Sequence, residues 1–434
     1  ANRAAVTRGA RVTAVFRMNQ RILVLGCGDV GSAVAHRLFL AGADVVLADE
    51  PAPAAPRRGM AFADAWFDGT ATLEGVVGLM VASVADLAPH CASLDAIPCS
   101  AAPISDIVAA WRPDALVDAR MRKRAAPEDL RALAPVTIGL GPGYTPGVHC
   151  TAAVETAWGD ELGAVLLDRP ASALAGEPRS LEGIGRERFV YAPRGGVWRS
   201  RSHIGELVQA DAVVGTLSAT DGSCEVRAPL TGHLRGLVHD GVRLRAGQKL
   251  LEVDPRREPD THGLGARPAA IARGVQRALG MSANLGSAFF GFEASYRSTL
   301  DCIPMSKRYK LDTCGVKLPL AQWRKLPRSV RETLLEAGES PRHLQRLRGL
   351  LERHLQQAAC AETGLAEARW ATEDGSVVPT AVQERCAAEG RRVPSGATWA
   401  ALRPLQRYAL TKLAQRDGSR NWCEALAEFG VCDG

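Results

Sequence analysis

The 434 residues exceed the ~250–300 that one hydrophobic core usually serves, and a composition 46% hydrophobic and 23% charged is that of a globular chain, not a disordered or fibrous one. No apolar run reaches the ~18–20 residues that span a bilayer, which excludes a helical membrane protein and makes a cytoplasmic protein without a membrane partner the expectation. The net charge of +6 sits mostly beyond residue 288, where 22 basic residues face 17 acidic ones, but the signs are interspersed with no Arg/Lys block, so no nucleic-acid partner is expected either.

In chain order, residues 1–17 are Arg-rich and acid-free, the composition of a targeting leader or of a disordered tail ahead of Met18. The first predicted element is residues 21–25, a short apolar run suited to a buried parallel strand. Gly26, Gly28 and Gly31 follow at GxGxxG spacing, and Val30, Val34 and Leu38 then recur four apart, as a helix laid on a sheet requires. A second apolar run, 43–48, closes with Asp49, 18 residues after the last glycine.

In a dinucleotide-binding unit the first glycine permits a tight turn, the second admits a pyrophosphate and the third lets helix and strand pack closely. The helix N-terminus offers unpaired N–H groups to the phosphate. A carboxylate at Asp49 would hold a ribose 2′-hydroxyl and repel a 2′-phosphate, so NAD is expected over NADP if either binds. The same sheet also serves proteins that bind no dinucleotide.

Residues 115–119 and 136–140 supply further strands of a Rossmann-like domain placed at 18–165. The second strand runs into Gly141-Pro-Gly-Tyr-Thr-Pro-Gly147. Gly141 and Gly143 there either turn backbone N–H groups toward an anion at the carboxyl edge of the sheet or make a plain tight turn. His149 and Glu155 are expected on the helix that follows.

Together, Gly26–Gly31, Arg57-Arg58 before Phe62-Ala63, Val117-Asp118-Ala119, Gly139-Leu-Gly-Pro-Gly143 and Val154-Glu155-Thr156 resemble the selenium-dependent molybdenum hydroxylase system protein family over residues ~20–280. The chain departs from that pattern at Ala157-Trp158-Gly159-Asp160, where the family has a run like Asn-Arg-Gly-His, and at Arg120-Met-Arg-Lys123, which keeps only part of a Lys-rich stretch. The resemblance implies work for a molybdenum enzyme and a pocket for the molybdenum cofactor or a dinucleotide.

Over 166–280 the pattern changes to short β runs separated by glycines, 204–208, 226–238 and 241–253. They resemble a biotinyl/lipoyl-type barrel-sandwich. A carrier of that type needs a Lys at an exposed hairpin tip, but the tip Ala219-Thr-Asp-Gly-Ser223 has none and Lys249 falls inside the last strand run. No covalent biotin or lipoyl is therefore expected, and the module reads as a docking or structural element. Residues 281–288 are expected to be a linker.

Beyond it the apolar period is helical. Leu344, Leu347, Leu351 and Leu355 recur within 341–363 behind Ser340 as N-cap, and Trp399, Leu402, Leu405, Leu410 and Leu413 recur within 395–416. An all-α domain of four to six helices is the expectation for 289–434. Its Phe292-Glu293, Cys302-Ile-Pro-Met305, Tyr309-Lys-Leu-Asp312, Cys314-Gly-Val-Lys-Leu318, Trp323 and Leu405-Gln-Arg-Tyr-Ala-Leu-Thr-Lys-Leu413 resemble the nitrate reductase-associated protein family.

The eleven Cys are scattered, odd in number and free of any CxxC pair, which argues against a zinc or disulfide framework and for a reducing compartment. No metal site is assigned. Cys302 and Cys314, with Lys310 and Lys317 near enough to favour a thiolate, are either reactive thiols or small buried hydrophobes. With Trp323 they are the candidates for contact with a partner.

The resemblances imply a fusion of two modules that assist molybdenum enzymes. The expectation is a maturation factor, most plainly for nitrate reductase in nitrate assimilation, that binds the apoenzyme and the molybdenum cofactor. Two alternatives stay open: an NAD-dependent oxidoreductase, for which no Tyr-x-x-x-Lys or similar acid–base pair is visible, and a scaffold whose nucleotide pocket is vestigial.

Overall fold

Residues 20–122, 125–173, 178–220, 222–281, 289–313, 316, 318–336, 341–356, 377–415 and 420–431 are described by a computed structural model. The chain divides into two units, Ala1–Ser282 and Ala283–Gly434, a multidomain α/β protein with a C-terminal helical region.

In the first unit, β1 (Arg21–Leu25) buries its last four residues, the pattern of a strand covered on both faces. Helix α1 (Asp29–Leu40) and β2 (Asp44–Ala48) follow, with β2 parallel to β1. The chain continues through α2 (Ala65–Asp68), β3 (Thr70–Leu73), β4 (Val76–Met80), α3 (Leu87–Ser93), β5 (Ala96–Ser100), α4 (Ile104–Trp111), β6 (Ala115–Asp118), β7 (Val136–Leu140), β8 (Ala152–Val154) and β9 (Val165–Leu166).

These strands form one sheet in the order β3-β4-β5-β2-β1-β6-β7-β8-β9. The outer pairs β3–β4 and β8–β9 are antiparallel and the rest are parallel. The chain leaves β1 on one side through β2 and comes back on the other at β6. The order therefore reverses between β1 and β6, the place where ligands bind in sheets of this kind. Leu23, Val46, Ile107, Trp111 and Leu116 share the core of this layer.

The helix expected to carry His149 and Glu155 is absent; that stretch is β8, parallel to β7. Thr151 N–H donates to the Thr137 carbonyl at 2.9 Å and Thr137 N–H to Thr151 Oγ1 at 3.1 Å, which draws 151–154 alongside the sheet. Gly159 and Gly163, with φ of +138° and +82°, then keep the chain out of a helical path.

The next eight strands are β10 (Phe189–Tyr191), β11 (Gly196–Ser200), β12 (Leu207–Val208), β13 (Val213–Ala219), β14 (Gly222–Arg227), β15 (Gly232–Leu237), β16 (Arg243–Leu244) and β17 (Lys249–Asp254). They make two four-stranded antiparallel sheets, β10-β17-β15-β12 and β14-β13-β11-β16. One apolar core, including Trp198, Leu217, Leu234 and Val253, is shared by both. Two bulges interrupt the pairing: Leu250 is an extra residue in β17 against β10, and Arg235 is an extra residue in β15 against β17.

After β17 the chain returns to the large sheet as α5 (Ala266–Ala278), which packs on α1, β8 and β9. The approach is close: a Cβ on Gly274 would fall 2.3 Å from the Gly163 carbonyl oxygen and 2.7 Å from Val154 Cγ1. Arg37 Nε donates to Gln276 Oε1 at 2.5 Å across the two helices.

The second unit opens with a 3-10 turn, Gly291–Tyr296, followed by helices Met305–Thr313, Leu320–Lys325, Arg328–Glu336, Pro341–Gln356, Thr380–Ala388, Gly396–Ala401, Pro404–Ala414 and Arg420–Glu428. That makes eight helices among the described residues, more and shorter than the four to six expected. The single helix expected over 395–416 is split, because Pro404 lacks an N–H and forces Arg403 into an extended conformation (φ −65°, ψ 150°). Pro404 instead opens a new helix at its first position. Ser395 does cap a helix, its hydroxyl accepting from Thr398 N–H at 3.1 Å. Ser340, the cap that was expected, lies outside the described residues. Val382, Trp399, Leu410 and Trp422 form the core.

Candidate functional site

The glycine fingerprint adopts the geometry that its spacing predicts, with a separate reason at each position. Gly26 has φ +101°, and a Cβ there would sit 2.8 Å from Arg120 Cα on the neighbouring strand's exit. A Cβ on Gly31 would meet the Gly26 carbonyl oxygen at 1.7 Å, so this glycine lets α1 start hard against the β1 turn. Gly28 has ordinary dihedrals (φ −65°, ψ −178°) and open space where its Cβ would be. It is therefore the position whose missing side chain leaves room for something outside the chain.

Around this loop the polar groups turn inward. Gly26 N–H donates to the Ala48 carbonyl at 2.7 Å, and Ser32 Oγ–H to the Cys27 carbonyl at 2.7 Å. Asp49 accepts from Cys27 N–H at 2.7 Å through one oxygen and from Glu50 N–H at 2.8 Å through the other. The carboxylate expected to meet a ribose thus ties β2 to the glycine loop. Burial, with Asp49 alongside, pushes the Cys27 thiol well above its usual range, so it stays protonated and unreactive.

Across the crevice, at the carboxyl ends of β6 and β7, Asp118, Arg120, Met121, Arg122, Glu128 and Tyr144 line a cleft open to solvent. Asp118 is buried and accepts from Arg120 N–H at 3.0 Å, Arg120 Nε–H at 2.9 Å and the Tyr144 hydroxyl at 2.7 Å. Burial opposes its charge, but the Arg120 and Tyr144 donors outweigh it and hold the carboxyl below its usual range. Burial and Asp118 push the Tyr144 phenol well above its own. Arg120 and Arg122 both reach Glu128, so the charges of the cleft are matched among themselves. Met121, with φ +52°, holds a conformation that non-glycine residues seldom adopt.

Gly141 and Gly143 lie on this rim with φ of +117° and +81°, so the loop turns as its glycines require. Much of its backbone is engaged locally: Gly147 N–H donates to the Cys150 carbonyl at 2.8 Å and Thr145 N–H to His149 Nδ1 at 3.1 Å. Glu155 is buried and pins the following loop by accepting from Thr156, Ala157 and Ser172 N–H groups at 2.7–2.9 Å. The structure thus brings Gly26, Gly28, Gly31, Asp49, Gly141 and Gly143 to one edge of one sheet. Its charged centre, Asp118–Arg120–Tyr144, was not singled out as a site from sequence. An acid ending a buried run, Ala115-Leu-Val-Asp118, was the available signal.

In the second unit, Trp323 is wholly buried and donates through Nε1–H to the Leu300 carbonyl at 2.6 Å. It supports the core and presents no surface to a partner. Lys310 is also buried and Cys302 is half-buried, while Cys314 and Lys317 lie outside the described residues. Buried Glu293 organises this end, accepting from Phe290 N–H, Met305 N–H and the Tyr296 hydroxyl at 2.7–2.9 Å.

Residues 289–429 match the family model of the conserved nitrate reductase-associated protein. The chain is 36% identical over 270 residues to the uncharacterized protein YqeB of Escherichia coli (strain K12), a match covering 62% of this chain and 49% of that one. The chain therefore spans about half the length of this curated relative. Among solved structures, an aspartoacylase family protein from Mesorhizobium loti aligns with 14% identity over 55% of this chain and 87% of its own, at a TM-score of 0.19. The apo ectoine utilization protein EutE (DoeB) from Ruegeria pomeroyi aligns with 11% identity over the same shares, at 0.18. At those scores neither carries an argument. Among the described residues, no helix is long and apolar enough to cross a membrane.

Proposed function

We propose that this chain is an accessory factor that helps mature a molybdenum enzyme, with nitrate reductase as its client, by binding the apoenzyme and its molybdenum cofactor. The match of residues 289–429 to the nitrate reductase-associated family carries the reading and supports the helical unit as the part that would meet the client. In support of a cofactor role for the first unit, Gly28 leaves open space at the N-terminus of α1, where the order of the sheet reverses and where a phosphate-bearing group is favoured. The resemblance of residues ~20–280 to the molybdenum hydroxylase system family points the same way. The two-sheet module we read as a barrel-sandwich used for docking, not as a carrier of biotin or lipoyl.

The test is affinity purification of the full chain from cells assembling nitrate reductase, with bound proteins and small molecules identified by mass spectrometry. Nitrate reductase apoprotein and a molybdenum-containing ligand are expected together, and recovery of neither would sink the reading. Gly28→Leu is the informative variant, because the backbone there is ordinary and the space is open. It should fold normally, keep the client and lose the cofactor.

One observation favours a second reading, a scaffold with a vestigial pocket: both oxygens of Asp49 are taken by backbone N–H groups. In that case Gly28→Leu leaves reductase activation unchanged. An oxidoreductase, by contrast, would take up NAD in preference to NADP when titrated by calorimetry.

A further inference from the structure

A second concentration of charge lies away from the sheet-edge cleft, on the β15–β17 face of the two-sheet module. Glu252 is fully buried in β17. It receives Arg57 through two N–H bonds of 3.0 Å each and Lys249 Nζ at 2.6 Å. Arg57 also reaches Asp29, in the first turn of α1, at 2.9 Å. The Arg57 loop is latched to β15, since Leu237 N–H donates to the Pro56 carbonyl at 2.6 Å.

The two bulges build this cluster. Strict alternation from Glu252 would point Lys249 into the apolar core, but the extra residue Leu250 returns it to the Glu252 face, opposite Tyr191. The extra residue in β15 is Arg235 itself, 4.0 Å from Glu252 and 3.6 Å from Asp254.

Four cations, Arg57, Arg188, Arg235 and Lys249, stand around the one buried carboxylate of Glu252. Asp29 pairs with Arg57 and faces Arg267, Asp254 pairs with Arg256 and Arg235, and Arg256 also faces Asp260 and Glu182.

Donors are left over. Among the described residues Arg235 makes no hydrogen bond, and its buried Nε has no partner. Arg188 is only 4% exposed; its Nη1 donates to the Gly185 and Arg179 carbonyls at 3.0 and 3.3 Å, yet its Nε stands 3.6 Å from Glu252 with no hydrogen bond. Buried donors of this kind are normally satisfied. The cluster is not sealed, because Lys249 and Arg57 keep about a quarter of their side-chain surface in contact with solvent (28% and 25%).

We propose that this cluster binds a phosphoryl group, free or as a monoester, with Arg235, Arg188 and Lys249 as the donors. Its oxygens would accept from the Nε–H groups of Arg235 and Arg188 that find no partner within the chain. The several oxygens of a phosphate accept from guanidinium and ammonium groups arriving from different strands. The depressed proton affinity of Lys249, pushed down to about 8 by burial that Glu252 offsets only in part, fits an ammonium still short of anions. The inference is independent of the client enzyme.

Calorimetric titration and thermal melts of the full chain with inorganic phosphate, and separately with glycerol 3-phosphate, test it against sodium chloride at equal ionic strength. Saturable binding and a rise in Tm beyond the chloride control are expected. Stronger binding of glycerol 3-phosphate would assign an organic monoester, and stronger binding of phosphate the free ion. Arg235→Met should weaken binding at least about tenfold, and because it also breaks the ion pairs to Asp254 and Glu252 its fold is checked separately. Lys249→Met is the second variant and should weaken binding likewise. The proposal is overturned if neither anion exceeds chloride, or if both variants, shown folded by near-ultraviolet circular dichroism, bind phosphate as the parent does.

Discussion

Lys249 shows how far a single residue's position can depend on its neighbours' count. Burial pushes its ammonium down to about 8 from a usual value of 10.5, so the folded protein gives up this proton before the unfolded chain does. Between about pH 8 and pH 10 the unfolded state then binds more protons, and this group's contribution to stability rises with pH. Lys249→Met should remove that rise, which urea unfolding at pH 7.5, 8.5 and 9.5 would show as a flatter profile than the parent's. The sequence places Lys249 in a strand and away from a hairpin tip, but its face depends on Leu250 being an extra residue, and no period-2 pattern reveals that. The glycines were more legible, since Gly26, Gly28 and Gly31 declare their spacing. The inward turn of Asp49 was not, because the carboxylate's choice between a ribose and the Cys27 N–H is decided by tertiary distance.

At the level of elements, α5 meets the β8–β9 segment at a distance set by two glycines, Gly163 and Gly274. On an exposed helix, Gly→Ala stabilises by roughly 0.5–1 kcal/mol. At Gly274 the sign should reverse, since the new methyl would lie 2.3 Å from the Gly163 carbonyl oxygen. Gly274→Ala is expected to cost about 1–3 kcal/mol, measurable as a lowered urea midpoint with an unchanged m-value. The strands β1, β2, β6 and β7 could be read as apolar runs ending in glycine or acid. By contrast β8, a three-residue Ala-Ala-Val strand, carries no run long enough to separate it from a helix start. The split at Pro404 was legible in principle, because the residue before a proline avoids the helical region, but the leucine period across it read as continuous.

For the whole molecule, each unit has its own apolar core, one set around Trp198 and Trp111 and the other around Trp399 and Trp422. Calorimetry should therefore resolve two transitions. Trp399→Ala, which empties a site 2% exposed, should cost about 3–5 kcal/mol in one transition and leave the other in place; a shift of both would refute independent cores. The sequence feature nearest the division at Ser282 is the change in apolar period after residue 288. The return of 266–278 to the large sheet was not readable, because that packing joins segments far apart in the chain.

That return also has a consequence for biosynthesis. The surface of α1 that α5 covers is complete some 230 residues before α5 is made, and at ~5–20 residues per second the ribosome takes roughly 10–50 s to supply it. Throughout that interval the nascent sheet layer carries an uncovered helix, and the two-sheet module must emerge before the cover arrives. A chaperone, or a pause timed to residue 278, would find its natural substrate there.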